Sequence, residues 1–208
     1  MGIGKLFSDA AKLLMMGIGV SDAGTIPRKV DLWKMGSGVE WRLLHCSASN
    51  VNYKGREAVR LTASNGDGLA LFQALEFFNC KIDLSLAAVN QNVGLVVRAK
   101  NESDFEMVSF RVDAEPQRLR LAMEFGSRNA TVELPLELLG EWIPVRVVLN
   151  RQFTAVFVNG SNMPGLKVTA TPEYNFGGQI GFRIERDSEG FVSDLKYIQP
   201  RKRDFEDV

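Results

Sequence analysis

The chain has 208 residues, 45% of them hydrophobic and 24% charged, with 25 Lys and Arg set against 25 Asp and Glu. Such a length suits one large β-sandwich, which runs to about 200–250 residues, and the composition is that of a chain able to bury a core. The charge balance leaves no broad positive field; that excludes a non-specific nucleic-acid binder and makes any charged recognition local.

From Ile3 to Val20 the only charges are Lys5, Asp9 and Lys12, and Ile3, Leu6, Phe7, Ala10, Leu13 and Leu14 recur at helical spacing. The spacing predicts a short amphipathic helix. Its apolar run from Leu13 is too short for a membrane-spanning helix of about 20 residues. Asp9 and Lys12 break the core a secretory signal needs, and Leu6 stands where a myristoylation pattern needs Ser or Thr. Residues 1–23 are therefore expected to dock or anchor the protein, through Ile3, Leu6, Phe7, Leu13 and Leu14, on a membrane surface or a protein assembly. The alternative is a helix that caps one end of the following domain. Gly24 to Pro27 reads as a linker, residues 24–200 as one domain and 201–208 as a tail of mixed charge.

Beyond Pro27, polar and apolar residues alternate over short runs broken by turn residues every 8 to 12 positions. That pattern predicts strands at Val39–Cys46, Glu57–Ala63, Leu69–Gln73, Phe78–Ala87, Val93–Ala99, Phe105–Val112, Arg118–Phe125, Ala130–Leu134, Trp142–Leu149, Thr154–Val158, Leu166–Thr169, Gln179–Ile184 and Gly190–Ile198. Asn65–Gly68, Asn90–Asn92, Lys100–Asp104, Asn150–Gln152, Asn159-Gly160 and Asp187–Gly190 supply the turns, because Gly, Asn and Asp tolerate positive φ. The fold class that follows is all-β, a two-sheet antiparallel sandwich closed as a jelly roll, behind the N-terminal amphipathic helix. Cys46 and Cys80 show no CxxC spacing; two small apolar side chains in a core is the preferred reading, with a disulfide left open. The single histidine, His45, and its neighbour Cys46 point to opposite faces of a strand, so no metal site, cofactor or histidine triad is expected.

One series of segments carries a resemblance. Val93–Ala99, Phe105–Arg111, Gly140–Val148 with Trp142, Val156–Gly160, Gly178–Phe182 and Phe191–Leu195 follow the order "GLVFR, W-x-x-V-x-V, V-x-V-N-G, G-x-I-G-F, F-x-D-L". This series resembles the concanavalin A-like lectin/glucanase superfamily, in particular its laminin-G-like and 3-keto-disaccharide hydrolase-like jelly rolls. The likeness spans roughly Trp33 to Pro200. It implies a sandwich whose concave sheet face receives carbohydrate or protein partners, and it implies nothing sharper about function, because the matching residues are strand and turn positions.

Strand parity gives the candidate site. Arg98, Arg111, Arg120 and Arg146 alternate with Leu95, Val97, Val108, Phe110, Leu119, Leu121, Val145 and Val147, and Arg183 alternates with Ile180, Phe182 and Ile184. Together the five arginines would form a donor-rich floor for carboxylates, phosphates or sugar hydroxyls; a solvated sheet face is the competing explanation. Glu185-Arg186-Asp187-Ser188-Glu189 resembles the alternating carboxylates of jelly-roll glycosidases, yet Gly190 follows at once and a hairpin turn accounts for it better. Trp33, Trp41 and Trp142 are available for sugar stacking or core packing, and Asn101, Asn129 and Asn159 head glycosylation sequons that also sit where turns want Asn. The expectation is a non-catalytic binding or structural module, an accessory subunit that is membrane-associated or extracytoplasmic. The alternatives are a lectin-like carbohydrate binder and, behind it, a glycoside hydrolase.

Overall fold

A computed structural model describes residues 29–31, 40–72, 79–87, 91–113, 118–125, 128–135, 141–169 and 177–198. The expected N-terminal helix with Ile3, Leu6, Phe7, Leu13 and Leu14, the linker, Trp33 and the tail lie outside them. The strands in chain order are β1 (Lys29–Asp31), β2 (Trp41–Leu44), β3 (Cys46–Tyr53), β4 (Arg56–Ala63), β5 (Gly68–Phe72), β6 (Cys80–Ala87), β7 (Gln91–Ala99), β8 (Glu106–Asp113), β9 (Arg118–Phe125), β10 (Arg128–Pro135), β11 (Trp142–Leu149), β12 (Phe153–Val158), β13 (Leu166–Thr169), β14 (Gln179–Ile184) and β15 (Glu189–Ile198). Sheet A runs β13-β12-β11-β6-β15-β4-β3, with β1 also paired to β15, and sheet B runs β10-β9-β8-β7-β14-β5-β2. Neighbouring strands are antiparallel, as in the pairings β7 with β8 and β11 with β6.

The period-two pattern explains why the two sheets face each other. Leu95, Val97, Val108, Phe110, Leu119 and Leu121 of sheet B meet Leu84, Leu86, Val145, Val147 and Val156 of sheet A in one buried core. Cys80 belongs to that core and Cys46 packs against it, both as free thiols. Burial pushes the Cys80 thiol up to about 12, so it stays protonated and acts as a small apolar side chain. His45 is exposed while Cys46 turns inward and donates to the Leu69 carbonyl at 3.4 Å.

Three strands depart from the sequence expectation. The run Val39–Cys46 is not one strand, because His45 takes a left-handed φ of 52° and passes the chain from β2 in sheet B to β3 in sheet A. β3 itself, CSASNVNY, changes phase midway, with Cys46 and Ala48 packed on the core and Val51 and Tyr53 on the outer face; it lies at the edge of sheet A, laddered to β4. The Lys54-Gly55 turn joins the two, with φ of 46° and 74°, the double positive φ of a tight hairpin. β1 is three residues long and pairs with β15, and so short a run leaves no pattern to read.

The layers are tied by one buried charge pair. The register of β14 against β7 shifts between Gln179 and Gly181, a bulge at which Arg98 adopts φ 51°. Gly178 lies against this backbone, where a Cβ would come within 2.5 Å of the Arg98 carbonyl carbon. The bulge turns the Arg98 side chain inward, to 2% exposure. Its guanidinium donates to Glu106 on β8, to Thr154 Oγ1 at 2.9 Å and to the Asn150 carbonyl at 2.6 Å. The last two acceptors belong to the β11–β12 hairpin, so Arg98 links sheet B to sheet A. Burial raises the Glu106 carboxyl against the opposing pull of Arg98. Removing one partner strands the other charge, whereas removing both leaves a cavity that apolar groups fill. Glu106→Ala is expected to cost about 3–5 kcal/mol in urea denaturation, and Arg98→Met combined with Glu106→Leu to cost clearly less. A double variant as unstable as the sum of its singles would show that the pair is not coupled.

Candidate functional site

The outer face of sheet B, turned away from the core, carries a cleft of about 240 Å³. Cross-strand register assembles it. Gly94 stands opposite Ser109 and Arg183, Val96 opposite Met107, and Met107 opposite Glu124. With no side chain at Gly94, the Met107 thioether lies over it, and a Cβ there would fall 2.3 Å from Met107 Sδ. Around this apolar floor stand Asn92, Ser109, Glu124, Arg183, Glu185 and Asp67. Ser109 Oγ donates to Glu124 Oε1 at 3.1 Å, Asn92 Nδ2 donates to Glu185 Oε2, and Arg183 donates to Asp67 Oδ2. The Arg186 N–H donates to Asp67 Oδ1 at 3.0 Å. Those contacts hold the Asp67 carboxyl below its ordinary value of 3.8. The result is a shallow site of alternating acceptors and donors, already oriented by one another. Among the described residues no aromatic side chain lines it, and no group of three or more His, Cys, Asp or Glu gathers to hold a metal ion.

The five arginines read as one floor do not come together. Arg183 lines the cleft. Arg111 and Arg120 face each other in the adjoining row of the same sheet. Arg120 and Arg118 are both bound by Glu133, whose carboxyl they lower. Arg146 sits on β11 of the other sheet, where it pairs with Asp83 at 2.6 and 2.9 Å. Arg98 is buried, because the bulge reverses the face its parity implies. Alternation identified an outward face correctly for Arg111, Arg120, Arg146 and Arg183, but it carries no information on which sheet a strand joins.

The acidic run 185–189 is a turn, closed by the Ser188 N–H on the Glu185 carbonyl at 3.2 Å with Asp187 at φ 55°. It carries the chain from β14 in sheet B to β15 in sheet A. Glu185 therefore belongs to the cleft, while Glu189 pairs with Arg60 on sheet A. Asp67 and Asn92 were legible only as turn residues, since their partners are 116 and 93 positions away. Trp41 packs edge-on against Phe72, and Trp142 is 7% exposed in a small cluster with Ala58, Ala87 and Phe191. Asn101 folds its side chain onto the Ser103 and Asp104 amides, and Asn159 occupies a left-handed turn position.

No protein-family model and no curated protein matches this sequence. Solved structures do match in shape. The carbohydrate-binding module CBM66 from Bacillus subtilis aligns with a TM-score of 0.54 and 11% identity, over 75% of this chain and 94% of its own. The legume lectin-like domain from Entamoeba histolytica aligns at 0.56 and 7%, over 86% and 100%. A glycoside hydrolase family 16 endo-glucanase from Bacteroides ovatus aligns at 0.54 and 9%, over 83% and 99%. The chain thus has the concanavalin A-like jelly-roll fold that its strand series resembles. At these identities the likeness concerns the fold.

The lowered Asp67 carboxyl gives a pH test of the cleft. A group whose folded value is depressed contributes stability above its unfolded value, and that contribution is lost as pH falls through the folded one. Wild-type protein should therefore lose stability below about pH 4 partly through Asp67, and Asp67→Asn should flatten that part of a thermal-melt profile. An unchanged acid limb in the variant would show that the Arg183 clamp is not closed in solution.

Proposed function

We propose that this chain is a non-catalytic binding module that holds a saccharide over the outer face of sheet B. The observation that carries the reading is the convergence of Asn92, Ser109, Glu124, Arg183 and Glu185 around the Met107-covered floor at Gly94. Carboxylates accept from sugar hydroxyls, and amide and guanidinium N–H groups donate to them, so neighbouring hydroxyls on one ring meet complementary partners. The apolar ring face lies against Met107. Mutual hydrogen bonds restrain these side chains before a ligand arrives, which lowers the ordering cost of binding. Further support comes from the fold: the chain shares its jelly roll with a carbohydrate-binding module and a lectin-like domain.

A second element of the proposal concerns residues 1–23. The helical spacing of Ile3, Leu6, Phe7, Leu13 and Leu14 supports a docking segment that attaches the module to a membrane surface or a protein assembly as an accessory subunit. A saccharide ligand fits a membrane-associated or extracytoplasmic location for such a subunit.

Glycan-array screening followed by calorimetric titration of the best ligand tests the reading. Glu124→Gln and Glu185→Gln are each expected to weaken binding about tenfold, or roughly 1.4 kcal/mol. Deleting residues 1–23 should release the protein from its native fraction without changing that affinity. An array without hits overturns the saccharide assignment, and turnover of a glycan that Glu185→Gln abolishes would make the protein a hydrolase instead.

A further inference from the structure

The outer face of sheet A carries a groove of about 650 Å³, within the range of about 300–1,000 Å³ common for small-molecule sites. Register builds a row across it: Phe157 opposite Arg146, Arg146 opposite Asp83, and Asp83 opposite Lys196. Lys81, Ser85 and Asp194 also line it. Phe157 is half-buried on Val148, Phe153 and Ala155 and shows the remainder of its ring beside the charged row.

Asp194 is the residue that marks this groove. Pairing of β15 with β6 shifts register between Ser193 and Lys196, and Asp194 takes φ 54° in that bulge, in the middle of the sheet. A left-handed non-glycine residue inside a strand is strained, and such residues persist where surrounding structure or function requires them. The other strand-interior case, Arg98, is held by its buried hydrogen bonds, while the bulge at Asp194 carries the inward face from Val192 to Leu195 and turns Asp194 and Lys196 outward. The contacts of Asp194 are looser: Arg56 Nη1 and Ser85 Oγ each donate at 3.3 Å, and Lys196 Nζ stands 4.0 Å away. Charge-assisted hydrogen bonds run to about 2.7–2.9 Å when fully formed. Its side chain is 44% exposed, so the bulge presents a carboxylate to the groove without locking it.

The charges do not cancel. Lys81, Arg146 and Lys196 face Asp83 and Asp194, and among the described residues Lys81 has no ion-pair partner. We propose that this groove is a second saccharide site, independent of the sheet B cleft, and selective for sugars that carry a carboxylate. Lys81 and Lys196 receive the sugar carboxylate, Asp194 and Ser85 take its hydroxyls, and Phe157 meets the ring edge.

Amide chemical shifts of the isotope-labelled full chain, titrated with sodium glucuronate, test the site; glucose and sodium acetate serve as controls for hydroxyl and charge alone. Glucuronate is expected to shift the amides of Lys81, Asp83, Ser85 and Asp194, with an affinity at least fivefold above either control. Lys81→Ala and Asp194→Asn should each weaken it at least fivefold, and Asn keeps the left-handed backbone accessible. Arg118→Ala, on the opposite sheet and outside its cleft, should leave it unchanged. Equal response to acetate and glucuronate would reduce the groove to a plain anion site and overturn the proposal. Absence of shifts there, or shifts confined to the region of Asn92 and Glu185, would overturn it as well. Because the two sites report on different amides, failure of one is distinguishable from failure of the other.

Discussion

The buried contact between Arg98 and Glu106 is the constraint on which the arrangement of the two layers depends. A β-sandwich core of aliphatic side chains is held by burial, which is strong but without direction. Nothing in that term fixes how one sheet is placed along the other. A guanidinium with its donors fixed in a planar fork supplies the direction, because its hydrogen bonds to Glu106, Thr154 and the Asn150 carbonyl are met together in one placement of β7 and β8 over the β11–β12 hairpin. Buried ion pairs add little net stability against an apolar replacement. The contribution here is positional: the pair holds one end of β7, whose outward residues Asn92 and Gly94 form the floor and wall of the sheet B cleft.

Most of the fold was legible from alternation, and the failures share a cause. Period two is a property of one strand, so it assigns Leu119 and Leu121 inward and Arg120 outward without knowledge of any neighbour. Sheet membership comes from ladders between residues far apart in sequence, which is why Arg146 was grouped with Arg111 although β11 pairs with β6 in the other layer. Parity also presumes an unbroken strand. The bulge at Arg98 and the left-handed His45 break it, and Arg does not announce positive φ as Gly or Asn does. β3 escaped because its apolar residues switch faces midway, Cys46 and Ala48 on one and Val51 and Tyr53 on the other, so no single alternation runs through it. At the site, Glu185 was visible only as part of an acidic run, and its role became readable once the turn assigned it to sheet B and Glu189 to sheet A.

The outer faces obey a different logic from the core. Their polar side chains are joined in pairs between neighbouring strands and turns: Arg183 with Asp67, Arg60 with Glu189, Arg146 with Asp83, and Arg118 and Arg120 with Glu133. Exposed pairs of this kind contribute little to stability, on the order of 0–1 kcal/mol each. They do hold long side chains in defined places, and they leave a neutral chain with locally patterned donors and acceptors. On such a surface donors and acceptors are oriented before any ligand arrives, so part of the ordering cost of a contact has already been met in folding.

The two strand-interior residues with left-handed backbone show how one device serves both purposes. Each belongs to a bulge in a central strand, where the extra residue frees a side chain from its neighbours' alternation. In sheet B the freed side chain is Arg98, and turning inward gives it four acceptors, so the local strain is offset by the tie between the layers. In sheet A it is Asp194, and it remains on the outside among cations and a hydroxyl at long range. Core packing uses both bulges, since the second carries the inward face from Val192 to Leu195, three positions on, and leaves Asp194 and Lys196 outside. The same shift that keeps Leu195 in the core therefore sets the Asp194 carboxylate in a groove shared with Lys81, Arg146 and Lys196.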